Sequence, residues 1–102
     1  MNNTKWREIG RKFWDIECNE DILIEWDIKF LDYDHVENYV DETWSHFGPD
    51  MVDYKQLEWL KIRLTPENRQ RVIEVLKAVH VPGEVTEDVA TVYGYRTDVD
   101  YI

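Results

Sequence analysis

The sequence predicts an α+β fold: a mostly antiparallel four-stranded sheet with two helices packed on one face, in the order α-β-β-β-α-β. Three observations carry this expectation. Apolar residues recur at helical spacing in two separate stretches. Other stretches alternate apolar and polar residues, as half-buried strands do. Proline, glycine and capping residues fall at the joints between them. The 102 residues have room for one core, so a single domain over 1–102 is expected.

The first helix is expected over residues 4–18, capped by Asn3 or Thr4. Trp6, Ile9, Phe13 and Ile16 line one face, and Gly10 weakens the helix slightly. Residues 22–31 switch to a period of two. Ile22, Ile24, Trp26, Ile28 and Phe30 alternate with a mostly charged face. Residues 34–47 read two ways. Asp34 and Glu37 resemble a helix capping box, stopped by Gly48-Pro49. Residues 42–47 and 54–64 also read as two strands around a loop, and this hairpin is the favoured reading. In its second strand Leu60, Ile62 and Leu64 point one way, Lys61 and Arg63 the other.

Thr65-Pro66-Glu67 marks the second helix start, with Thr65 as cap. Val72, Val75, Leu76 and Val79 form its buried stripe, and Glu67 and Arg71 are spaced to pair on its exposed side. The helix ends near His80, because Pro82 biases Val81 away from helical geometry. Val81-Pro82-Gly83-Glu84 has the residues of a type II turn, and residues 88–96 form the last strand.

The net charge of −10 is unevenly spread. Residues 1–14 carry +3, residues 15–53 carry −12, residues 54–80 carry +3 and residues 81–102 carry −4. This field repels nucleic acid and anionic membranes and attracts cationic partners. The lone Cys18 has no internal disulfide partner, and no apolar run approaches membrane-spanning length. A cytoplasmic protein is expected.

Chemistry-bearing constellations are few. Carboxylates around Cys18 disfavour its thiolate. Ser45 and His46 would point to opposite faces of a strand. His35, His46 and His80 are scattered, and Asp32-Tyr33-Asp34 lacks the rest of a calcium loop. No catalytic set, metal or cofactor is expected. Five tryptophans are many for this length and hard to bury all together. The candidate site is therefore an acidic, aromatic, partner-binding surface: Asp32, Tyr33, Asp34, Glu37, Tyr39, Asp41, Glu42, Asp50 and Asp53, with Trp26, Trp44 and Tyr54 as further rings. Aromatic anchors among carboxylates suit docking on a basic protein.

Several stretches resemble a group of small bacterial proteins of uncharacterised function. They are Met1-Asn-Asn-Thr-Lys-Trp-Arg-Glu8, Asp41-Glu-Thr-Trp-Ser-His-Phe47, Tyr54-Lys-Gln-Leu-Glu-Trp-Leu-Lys-Ile62, Ile73-Glu-Val-Leu-Lys-Ala-Val-His-Val-Pro-Gly-Glu84 and Val92-Tyr-Gly-Tyr95. Residues 18–41 depart from that pattern, being acidic where the group has a basic Trp-Arg segment. The resemblance implies a companion of polymorphic-toxin loci, and so an immunity-type protein. The leading expectation is a non-enzymatic module that neutralises a cationic toxin, possibly a nuclease, without touching nucleic acid itself. The alternatives are an acidic nucleic-acid mimic, a homodimer burying its surplus rings, or a small enzyme using His80, Glu84 or His46.

Overall fold

A computed structural model describes residues 1–31, 36–38, 44–50, 52–96 and 98–102. The class is α+β, with an antiparallel sheet and two helices sharing one core. Helix α1 spans Asn3–Glu20 and α2 spans Arg69–Val79. The strands are β1 (Trp26–Phe30), β2 (Val36–Asn38), β3 (Leu57–Arg63), β4 (Gly83–Val85) and β5 (Val89–Tyr93), in the spatial order β2-β1-β3-β5-β4. Every pairing among them is antiparallel.

Helix α1 starts one residue earlier than its pattern indicates. Asn2 is the cap, its side chain accepting from the Lys5 amide at 2.9 Å. Trp6, Ile9, Phe13 and Ile16 are buried, as their spacing requires. Gly10 has a packing reason: a Cβ there would come within 3.0 Å of the Phe47 ring. Helix α2 enters through a buried knot. Asn68 Oδ1 accepts from the Thr65 amide (2.9 Å), and Thr65 Oγ1 accepts from the Asn68 amide (3.1 Å). Regular helix then begins at Arg69, and Val72, Val75 and Leu76 enter the core. Arg71 turns to Glu20 of α1 (2.7 Å) and to Glu74 (2.6 Å), rather than to Glu67.

The hairpin over 42–64 is only half realised. Its second strand is β3, preceded by a single 3-10 turn at Tyr54–Gln56. The first is instead a 3-10 helix, Trp44–Phe47. Strand alternation would send Trp44 and Phe47 to opposite faces, whereas three residues per turn put both on one side. Both are fully buried, packing on Trp26 at centroid distances of 5.1 and 5.3 Å. The neighbour of β1 on that edge is β2.

Residues 81–84 form no type II turn. His80 makes the reversal itself, as a left-handed helix cap with φ 64°. Gly83–Val85 then pairs with β5, while Pro82 bridges to Tyr101. A Cβ at Gly83 would lie 2.1 Å from the Thr91 carbonyl oxygen. In the sheet's centre, β1 and β3 slip register between Lys29 and Phe30, leaving Glu58 as a β-bulge. Leu57, Leu60 and Ile62 consequently all face the helices.

Candidate functional site

Most of the sequence-predicted surface lies outside the described residues: Asp32, Tyr33, Asp34, Tyr39, Asp41 and Glu42. Glu37 is placed by backbone alone, in β2 opposite Ile28. Asp50 and Asp53 are both exposed. They line a shallow depression of about 400 Å³ with Asn3, Pro49, Val52 and Tyr54. Asp53 also caps the 3-10 turn, accepting from the Lys55 amide at 3.2 Å.

The acids preceding this surface divide by partner. Glu20 forms a two-point pair with Arg71, and Glu25 pairs with Arg63 at 2.5 Å. The hydrogen bond from Arg71 holds the Glu20 carboxyl below its usual range. Glu17 accepts from the Trp44 amide at 2.9 Å, tying α1 to the 3-10 helix. Burial raises its carboxyl above the ordinary value, and that hydrogen bond partly offsets the rise. Asp15 and Asp21 are exposed.

Among the described residues, the further rings of the expected surface are core. Trp6, Trp26 and Trp44 are essentially inaccessible, so three of the five tryptophans serve packing. Trp44 Nε1 donates to the Ile24 carbonyl at 3.1 Å. Tyr54 is buried too, donating to the Phe47 carbonyl at 2.6 Å, and burial pushes its phenol up to about 12. Trp26, Trp44 and Tyr54 are therefore not surface anchors. Trp14 is 38 % exposed, and Trp59 is half-buried on the sheet face away from the helices.

The corner at His80 and Glu84 has a structural use for each side chain. The His80 ring stacks on Tyr101 at 4.6 Å, and Lys5 donates to the His80 carbonyl at 2.5 Å. Glu84 accepts from the Tyr93 hydroxyl at 3.1 Å. Among the described residues no group of three His, Cys, Asp or Glu side chains is arranged to hold a metal ion. Nor is any helix there long and apolar enough to cross a membrane.

Sequence reasoning missed two features. Asn68 is fully buried, and its Nδ2 donates to the carbonyls of Leu23 (3.1 Å) and Arg63 (3.0 Å). The signal was its place three residues after Thr65, where a side-chain acceptor can complete a capping box. The other is the ring-bearing outer face of β3 and β5, visible only once their register is known.

A family model matches residues 1–98. The chain belongs to DUF6678, a family of unknown function. Comparisons of this DUF6678 chain with curated proteins and with solved structures gave no match.

Proposed function

We propose that this chain is a non-enzymatic protein-binding module, an immunity-type protein of the bacterial cytoplasm that neutralises a cationic toxin domain. The observation that carries this reading is the charge distribution: −12 over residues 15–53 against +3 on either side. A basic cleft, as in a nuclease, is drawn to such a field and blocked by it. The exposure of Asp15, Asp21, Asp50 and Asp53 supports the reading, since these charges face water rather than the core. A small enzyme built on His80 and Glu84 is less favoured, because both side chains hold the fold's corner together.

Co-expression with the product of the adjacent gene tests the proposal. A stable complex and rescue of growth are expected; neither complex nor rescue would end it. Within the complex, Asp32, Asp34 and Glu37 changed together to lysine should slow association about tenfold or more. Dissociation should change far less, because charges at a contact rim act mainly on encounter.

A further inference from the structure

The helices cover one face of the sheet. The other bears an aromatic row formed by register: Lys29 lies opposite Trp59, and Trp59 lies opposite Tyr93. Both rings are half-buried, and each is covered by a cation. Lys61 Nζ sits 4.6 Å from the Trp59 ring, and the Arg96 guanidinium 4.8 Å from that of Tyr93. Exposed Leu31 and Tyr95 join them around a depression of about 460 Å³.

The electrostatics of this face differ from those of the chain as a whole. Lys29 is bound to Glu58 (2.5 Å), Arg63 to Glu25 (2.5 Å) and Arg96 to Asp98 (2.9 Å). Lys61 lies opposite Asp27 across the strands. Each cation thus has a carboxylate beside it, in a chain of net charge −10. Two such chains repel when they approach by their acidic surfaces, and repel least where charge is locally balanced. Alternating cations and carboxylates face unlike charges on a second copy when a two-fold axis runs between a cation and its neighbouring carboxylate.

We propose that this outer sheet face is a self-association surface, on which a second copy of the chain docks by the same face. Trp59 and Tyr93 are the anchors, and Lys61 exchanges its place over Trp59 for the partner copy's carboxylates. Five strands about 4.8 Å apart and about five residues long give a footprint of roughly 300–400 Å². A stable interface buries about 800 Å² per partner. The contact is therefore weak and reversible, responding to protein concentration rather than persisting as a permanent dimer.

Sedimentation velocity from about 10 µM to about 1 mM, the range of weak dissociation constants, tests it. The sedimentation coefficient should rise towards that of a dimer. Over the same range the Trp59 indole N–H resonance should move, while those of buried Trp6, Trp26 and Trp44 stay still. Lys61→Glu, at an exposed position, should weaken association about tenfold or more with unchanged thermal unfolding. Trp59→Ala should weaken it about thirtyfold, as loss of a central ring does. A monomer at every concentration would overturn the proposal, as would undiminished association of Lys61→Glu. So would a Trp59 resonance that moves only on adding single-stranded RNA while the protein stays monomeric.

Discussion

Asn68→Ala removes more than one bond, and its cost follows from the geometry of the knot. The side chain accepts from the Thr65 amide at 2.9 Å and donates to the Leu23 and Arg63 carbonyls at 3.1 and 3.0 Å. Alanine deletes all three and strands two carbonyls beneath the α2 entry. At about 1 kcal/mol net per bond, with an added desolvation cost for stranded groups, the loss should be about 3–4 kcal/mol. At about 4–8 °C per kcal/mol, the unfolding midpoint should fall by about 12–30 °C. Thr65→Ala removes only the 3.1 Å bond to the Asn68 amide, so its cost should be about 1 kcal/mol. Asn68→Asp is the sharper control. It keeps the size but turns a carboxylate oxygen towards two carbonyl oxygens, so at neutral pH it should be at least as damaging as alanine. Urea unfolding followed by tryptophan fluorescence reads each difference, provided the slope is unchanged. A loss below about 1 kcal/mol for Asn68→Ala would refute the argument that this residue anchors the helix.

Other outcomes follow from the core and the titrating groups. Trp44→Ala should cost about 3–5 kcal/mol, and Trp14→Ala, at a position 38 % exposed, well under half of that, by the same urea assay. Gly94→Ala should cost about 1–3 kcal/mol, because its Cβ would lie 2.1 Å from the Leu57 carbonyl oxygen; wild-type stability would mean that the bulge yields freely. Glu17 and Glu20 should give opposite pH dependences. The folded Glu17 carboxyl lies above the ordinary value of 4.5, so its contribution is most favourable below that value and weakens as pH rises through the folded pKa. Glu17→Gln should therefore gain on wild type between pH 4.5 and neutrality. The folded Glu20 carboxyl lies below 4.5, so its contribution is present above that pH and fades as acid protonates it. Glu20→Gln should be less stable than wild type at neutral pH, with the gap closing in acid.

The helices and three strands were legible because each carries a simple period. Trp6, Ile9, Phe13 and Ile16 mark one helix face, and Ile62 between Lys61 and Arg63 marks a strand. Trp44–Phe47 was not, because four residues are too few to tell a period of two from a period of three until the burial of both rings is known. The corner at His80 misled for a different reason. Proline and glycine fit a type II turn, but His80 had already reversed the chain in a conformation usually left to glycine or asparagine. That left Gly83 available for close pairing with β5. For the site, charge was readable by counting, whereas the placement of rings was not. Trp26, Trp44 and Trp59 look alike in sequence, yet two are inaccessible and one belongs to an open face.

The bulge at Glu58 bears on how the chain tolerates changes in length. Removing one residue from a regular strand turns every later side chain to the wrong face. In β3 the two halves are already out of phase by one residue, with Leu57 and Leu60 inward and Trp59 outward. Deleting Glu58 would bring Leu57, Trp59 and Leu60 into simple alternation and leave the core set intact. The losses would be the carboxylate that holds Lys29 and the carbonyl that accepts from the Gly94 amide. At this one position, a shorter chain keeps its inside and outside.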